Sequence, residues 1–436
     1  MKRIHFVGIK GVAQAALAVW YKEAGYAVTG SDVADIFPTD EVLAKAKISV
    51  LDFNPKNITN IHPELVIYTG AHGGRDNDEV VEALAQKISV IPHGKALGEV
   101  MQGKKQISVA GSHGKTTTTA MIACILSHAG FDPSWAIGCG EIRGLGLPGH
   151  FGRGNIFIAE ADEYVTDPGH DLTPRFLWQH PDILVVTNID WDHPDVYASL
   201  AEVKAAFSSF EHQAKRTITT DDFQVTHISF GEKRTFFTLV QNGMNLGDFT
   251  LKVPGTHNAK NAGLAILACM ELGVSREKIA EGLLAFGGTK RRFEFIGEIH
   301  GAKIIDDYAH HPGEIKATLA AARQWYPNKK IRAVFQPHTY SRTKALLPGF
   351  AQAFGNAHEV ILTDIYASAR EHETLGISGK TLVEEVSKHH PHVSYAPGFD
   401  EVKQKLLQNL QPTDVILLMG AGDIYGWSKR ILNNES

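Results

Sequence analysis

Ile107-Ser108-Val109-Ala110-Gly111-Ser112-His113-Gly114-Lys115-Thr116-Thr117 is the stretch on which the fold turns. A short run of buried-strand character enters a glycine turn, and a helical pattern through 116–128 follows at once. At such a junction the N–H groups of the first helical turn are free and the helix dipole favours negative charge, so a phosphate is the expected ligand. Lys115 is placed to reach the β/γ-phosphates of a nucleotide and the Thr116 hydroxyl to hold Mg²⁺, or Mn²⁺ in its place. Gly111, Ser112, His113, Gly114 and Thr117 complete the cradle for ATP. The spacing is shorter than GxxxxGK[ST], because position 109 is Val. The order strand, turn, Gly-Lys-Thr, helix separates it from a glycine turn with a surface lysine.

Two further strand ends belong with this loop. Residues 155–159 run into Glu160-Ala161-Asp162-Glu163-Tyr164, and residues 183–186 into Thr187-Asn188-Ile189-Asp190-Trp191-Asp192-His193. Carboxylates and imidazoles at the C-terminal ends of strands in a phosphate-loop sheet lie where the metal and the γ-phosphate meet. Glu160 is therefore expected to share the metal with Thr116, and His193 to serve a second one. Asp192 and Glu163 read equally as outer residues or as solvated ones.

Around this unit the chain divides in three. Residues 1–100 alternate short apolar runs (4–7, 27–29, 65–68, 88–91) with helical stretches (12–24, 77–86), the rhythm of a Rossmann-like parallel sheet. Residues 101–289 form a central α/β domain of the P-loop ATPase kind, with antiparallel character over 217–253 and helices at 258–272 and 275–285. A hinge is expected at Gly287-Gly288-Thr289. Residues 290–436 return to a Rossmann-like α/β alternation, with buried strands at 332–335, 360–363 and 415–419. In the first domain Gly8-Ile9-Lys10-Gly11 follows a strand, and Asp32 ends the next one, where an acidic residue meets a ribose. With Lys10 and Ala13 breaking the GxGxxG pattern, a nucleotide or UDP-sugar site is left open there. In the third, Asp306-Asp307-Tyr308-Ala309-His310-His311 and Gln336-Pro337-His338-Thr339-Tyr340-Ser341-Arg342 end two strands and suit a charged small substrate.

Composition narrows the class. Of 436 residues 43% are apolar and 21% charged, with no run near the roughly 18 apolar residues of a membrane helix, so no membrane insertion is expected. A net charge of −5 argues against nucleic acid as a partner. Three scattered cysteines, Cys124, Cys139 and Cys269, fit neither a disulfide framework nor a zinc site. The start, Met1-Lys2-Arg3-Ile4-His5-Phe6-Val7, enters a strand directly, so a cytoplasmic protein is expected.

Together these motifs resemble the Mur ligase family over essentially the whole chain. The resemblance rests on 111–118, 160–164, 187–195, Pro254-Gly255-Thr256-His257-Asn258-Ala259-Lys260-Asn261-Ala262, Arg291-Arg292-Phe293-Glu294, 306–312 and 337–343. The ending Gly420-Ala421-Gly422-Asp423-Ile424 points to the alanine-adding branch rather than the branch that reattaches a recycled tripeptide. The resemblance implies an ATP-dependent ligase joining L-alanine to UDP-N-acetylmuramate in peptidoglycan precursor synthesis, as a monomer or homodimer. It places the UDP-sugar at Gly8, Lys10, Gly11, Asp32, Gly70 and Ala71, and the nucleoside near Asn258, Asn261, Arg292 and Asp307. Tyr308, His310, His338 and Arg342 would surround the amino acid and the acceptor carboxylate, with His310 as the base. Departures are Lys10 in place of Gly, Gln14 in place of Met, Thr339 in place of Arg, and unusual stretches at 165–174 and 217–253.

Overall fold

The computed structural model describes residues 2–231, 233–367, 371 and 373–433. They form three α/β domains, each around its own sheet. In the first, β1 (Arg3–Val7), β2 (Ala27–Asp32), β3 (Ser49–Asp52), β4 (Leu65–Tyr68) and β5 (Ser89–Pro92) run parallel in the order β3-β2-β1-β4-β5. Helices α1 (Val12–Glu23), α2 (Asp40–Lys45), α3 (Lys56–Ile61), α4 (Asp78–Ala85) and α5 (His93–Met101) connect and cover them. The strand order reverses between β1 and β4, and open α/β sheets bind ligands in the crevice at such a point.

The central domain contains β6 (Lys105–Ala110), β7 (Ser134–Ala136), β8 (Gly149–His150), β9 (Ile156–Ala161), the hairpin β10 (Val165–Asp167) and β11 (Asp171–Pro174), β12 (Ile183–Val186) and β13 (Arg216–Thr219). Its main sheet has the order β13-β12-β6-β9-β7-β8, with β8 alone antiparallel to its neighbour. Strand β6 sits in the middle, buried beyond its first residue, and delivers the phosphate loop to α6 (Lys115–His128). Helix α6 is buried from Thr116 to Leu126. It packs with α8 (Thr256–Met270) and α9 (Arg276–Ala285) through Ile122, Ile125, Leu264 and Leu283, while α7 (Leu200–Glu211) covers the opposite face with Phe207 and Phe210. The antiparallel reading of 217–253 needs correction at its start: 216–219 is β13, parallel to β12, and the antiparallel sheet is β14 (Gln224–Gly231), β15 (Arg234–Gln241) and β16 (Met244–Leu251).

The third domain has β17 (Glu294–Ile299), β18 (Ala302–Asp307), β19 (Lys330–Phe335), β20 (Glu359–Leu362), β21 (Val393–Tyr395) and β22 (Asp414–Met419) in the order β17-β18-β22-β19-β20-β21. All are parallel except β17, which pairs antiparallel with β18. Helices α10 (Pro312–Trp325), α11 (Tyr340–Ala345), α12 (Leu347–Ala351), α13 (Gly379–Ser387), α14 (Phe399–Leu407) and α15 (Tyr425–Asn433) flank the sheet. In the segment 287–289, Gly288 O accepts from Arg143 N at 2.9 Å, and Thr289 bridges to Ile142. The chain turns into the third domain just after it, where Arg291 and Phe293 have φ of +62° and +49°. Among the described residues no helix is long and apolar enough to cross a membrane.

Candidate active site

The phosphate loop is held from below by the segment after β12. Ser112 N donates to Asn188 O at 3.1 Å, and His113 N to Asn188 Oδ1 at 3.0 Å. Gly111, at φ +134°, passes so close that a Cβ would lie 2.0 Å from Thr187 Oγ1. Lys115 Nζ donates to Glu163 Oε2 at 2.9 Å and to Gly111 O at 2.5 Å. Burial works against its charge, but Glu163, Asp162 and Glu160 raise its pKa regardless, so Lys115 is firmly cationic.

The acidic strand end divides into two groups. Thr116 Oγ1 donates to Glu160 Oε2 at 3.1 Å, and Glu160 Oε1 accepts from Gly138 N at 2.6 Å. Burial pushes the Glu160 carboxyl up, with Lys115 opposing, so a nearby cation would favour its ionised form. His193, expected to serve a second metal, groups with Asp162 and Glu163, one ligand atom from each lying within 4.8 Å of the others. Glu163 Oε1 is buried without a hydrogen-bond partner, 3.8 Å from His193 Nε2. Two carboxylates and an imidazole so grouped fit a divalent cation, and the Thr116 hydroxyl with Glu160 offers oxygen ligands at the phosphate loop. Asp162 escaped the sequence reading because its role depends on how β9 and the loop after β12 meet in space.

Two cavities meet at the loop. One, of about 300 Å³, is lined by Asn258, Asn261, Phe286, Asp307 and Thr318 and suits a nucleoside. The other, of about 360 Å³, joins Lys115, Thr116 and Glu160 to His310, His338 and Arg342 of the third domain and to Val12 and Ala13 of the first. His113, Gly114, Arg292 and Glu314 line both, so the two cavities adjoin at the phosphate loop.

Contacts between domains close the site. Arg342 Nε donates to Asp192 Oδ1 at 3.0 Å, and Asp192 Oδ2 is 3.9 Å from His310 Nε2. Desolvation opposes ionisation of Asp192, yet Arg342 and His193 hold its carboxyl well below the usual range. His310 Nδ1 lies 3.1 Å from Tyr308 O and 3.2 Å from Glu314 Oε2, which orients the ring with Nε2 on the Asp192 side. Burial and Arg342 lower the His338 pKa to about 3, so it is a neutral group. Arg292 stacks on Tyr308 at 5.1 Å and pairs with Glu314 at 3.3 Å. Glu314, which links Arg292, His310 and His113, carried no motif of its own. Thr339 at φ +69° caps α11, its Oγ1 accepting from Arg342 N at 3.4 Å, so the residue in place of Arg serves the helix that carries Arg342.

His113 bridges domains as a cation. Its ring nitrogens are 3.4 Å from Asp190 Oδ2 and 3.5 Å from Glu314 Oε1. Desolvation alone would lower its pKa, but the two carboxylates raise it to about 10. A raised folded pKa means that the ion pairs contribute fully below about pH 6.5 and are lost as pH rises through about 10. Following the His113 ring signals by NMR should show titration close to pH 10; a midpoint near 6.5 would contradict the cross-domain pair.

The residues expected to hold the UDP-sugar lie at the ends of β1, β2 and β4. Gly8 N donates to Ser31 O at 2.9 Å, and Lys10 N to Asp32 Oδ2 at 2.7 Å, with Gly11 completing the turn before α1. Gly70 and Ala71 open the loop after β4. The Lys10 ammonium, however, donates to Val33 O at 2.9 Å and Asp35 O at 2.7 Å, so its side chain secures the loop after β2.

Comparison with known proteins agrees with this architecture. The Mur ligase family catalytic domain matches residues 3–105, the Mur ligase middle domain 109–269, and the Mur ligase glutamate ligase domain 291–422. The UDP-N-acetylmuramate-L-alanine ligase of Desulfitobacterium hafniense (strain Y51) is 41% identical over 449 residues, covering 97% of each chain. A crystal structure of the UDP-N-acetylmuramate-alanine ligase of Thermotoga maritima superposes with a TM-score of 0.83 at 27% identity, covering 100% of this chain and 99% of that one. The murein peptide ligase of Psychrobacter arcticus 273-4 shares the fold, with a TM-score of 0.71 at 24% identity over 99% of this chain and 98% of that one. The order of the motifs, the three domains and these matches agree, and the chain belongs to the Mur ligase family.

Proposed function

We propose that the chain joins L-alanine to the lactyl carboxylate of UDP-N-acetylmuramate, splitting ATP to ADP and phosphate through an acyl phosphate, in peptidoglycan precursor synthesis in the cytoplasm. The observation that carries this is the 360 Å³ cavity, where phosphate loop, acidic strand end and the His310–Arg342 cluster converge against Val12, Ala13 and His93 of the first domain. The curated relatives named for this reaction, matched over nearly their full length, support it.

A carboxylate and an amine do not condense unaided in water, so the carboxylate must first be activated. One carboxylate oxygen attacks the γ-phosphorus, ADP leaves, and an acyl phosphate forms. Lys115 and the N-terminus of α6 stabilise the charge that spreads over the transferring phosphoryl oxygens. A divalent cation would be held by Asp162, Glu163 and His193, and one at the phosphate loop by Thr116 and Glu160, and either would supply further charge neutralisation. Asn258, Asn261, Arg292 and Asp307 frame the nucleoside and its phosphates. Arg342 and the neutral His338 receive the amino-acid carboxylate. His310 Nε2 takes a proton from the ammonium, whose freed lone pair then attacks the acyl carbon and expels phosphate. The Asp192–Arg342 and His113–Glu314 contacts hold the third domain over the site, excluding water that would hydrolyse the acyl phosphate. The functional unit is a monomer or homodimer.

The amine preference tests this directly. Phosphate release with UDP-N-acetylmuramate and ATP is expected to be fastest with L-alanine, then L-serine or glycine. D-Alanine and leucine are expected to be poor and L-Ala-γ-D-Glu-diaminopimelate inactive. Glycine lacks one methyl and loses only about 1–3 kcal/mol, whereas larger side chains clash. A higher kcat/KM for the tripeptide would replace this assignment with that of a ligase of peptidoglycan recycling.

A further inference from the structure

The stretch 165–174 takes no part in the chemistry above, yet as the hairpin β10–β11 it grips the first domain. Asp167 is 1% exposed, and its Oδ2 accepts a hydrogen bond from Arg75 N at 3.0 Å across the domain boundary. Two glycines opposite leave no room for a side chain. A Cβ at Gly70 would lie 2.8 Å from Thr166 O and 3.0 Å from Asp167 Cα; at Gly74, φ +55°, it would lie 2.1 Å from Asp167 Oδ1. At the rim, His170 Nε2 is 2.8 Å from Asp76 Oδ2. Strand β10 is buried throughout while β11 is not, Leu172 being 71% exposed, and the carboxylate buried at the end of β10 meets the backbone of the loop.

That loop, 69–76, carries Gly70 and Ala71. Ala71 and Pro168 of the hairpin together line a third cavity, of about 840 Å³, whose opposite wall includes His193 and Arg342. The hairpin also begins two residues beyond Glu163. One short segment, 160–167, thus bears at its start the carboxylates that face the phosphates and at its end the carboxylate that clamps the sugar loop.

We propose that Asp167 is a positioning residue for the UDP-sugar, clamping loop 69–76 against the hairpin so that the acceptor end of the sugar is held at a fixed distance from the transferring phosphate. The inference rests on the chain being a UDP-sugar ligase. It is tested by steady-state kinetics of the full chain with UDP-N-acetylmuramate, ATP and L-alanine, alongside thermal midpoints. Losing a hydrogen bond to a buried carboxylate should raise the UDP-sugar KM of Asp167→Ala about ten-fold, with the ATP KM within about two-fold of the parent. Asp167→Asn, which keeps an oxygen acceptor for Arg75 N, should restore it to within about three-fold. Gly74→Ala, wedging the same contact with Asp167 intact, should raise it like Asp167→Ala. An unchanged UDP-sugar KM in Asp167→Ala would overturn the inference. So would a parallel rise in both KM values with a lowered thermal midpoint, the mark of a purely structural role. A parent chain that fails to turn over UDP-N-acetylmuramate at all would instead overturn the functional reading, and the inference with it.

Discussion

Replacing Lys115 by alanine is expected to lower turnover at least about 100-fold, because a preorganised charge at a transferring phosphoryl group contributes about 3 kcal/mol to the transition state. The structure adds a second consequence. Lys115 is the cation bonded to Glu163, whose side chain is 3% exposed, and breaking a buried pair on one side costs about 3–5 kcal/mol. The variant should therefore also melt at a lower temperature, and Mg²⁺ should recover part of the difference by giving Glu163 a new counter-charge. Circular dichroism melts with and without Mg²⁺, together with phosphate-release assays, read both effects. Near-parental turnover in the folded variant would contradict the phosphate-loop role; an unaltered melt would contradict the buried pair.

Arg342→Ala is expected to have the next largest effect, and on a different substrate. Its guanidinium lies in the cavity with His338 and is bonded to Asp192 Oδ1 at 3.0 Å. Removing it takes away the fork that binds an amino-acid carboxylate and leaves the Asp192 charge unpaired in a buried place. Losses of about 2–5 kcal/mol are usual for such truncations, so kcat/KM for L-alanine should fall at least about 30-fold. ATP affinity should change little, because Arg342 lies outside the nucleoside cavity. Arg342→Lys keeps the charge but not the planar fork, and should recover only part of the loss. Equal weakening of ATP and L-alanine would show that Arg342 acts only as a domain latch.

What could be read from the sequence followed the strength of its local signals. Strands β1, β4, β6, β12, β19 and β22 stood out because they are apolar runs ending in glycine or charged motifs. Strand β3, Ser49–Asp52, has a largely exposed face, and β7 and β8 are only three and two residues long, so neither leaves a periodic pattern. The stretch 165–174 stood out only as unusual, because as a short hairpin it pairs with itself and leaves no periodic pattern. The phosphate loop and the Thr116–Glu160 pair were legible because strand-turn-helix chemistry is local. The grouping of His193 with Asp162 and Glu163 needs two strand ends of one sheet brought together, and the 150-residue span from Asp192 to Arg342 and the hub at Glu314 exist only once the domains meet. The side-chain partners of Lys10 were hidden for a related reason: in sequence it sits in the glycine turn, while in space its ammonium ties down the following loop.

The central claim, activation of the lactyl carboxylate as an acyl phosphate before L-alanine attacks, is tested most directly by isotope transfer. UDP-N-acetylmuramate labelled with ¹⁸O in its lactyl carboxylate is incubated with ATP, Mg²⁺ and L-alanine, and the phosphate and the nucleotide sugar are weighed by mass spectrometry. The account predicts that each turnover yields the alanyl product and one phosphate bearing a single ¹⁸O from the carboxylate. Phosphate released without label, or label retained in full by the product, would contradict it.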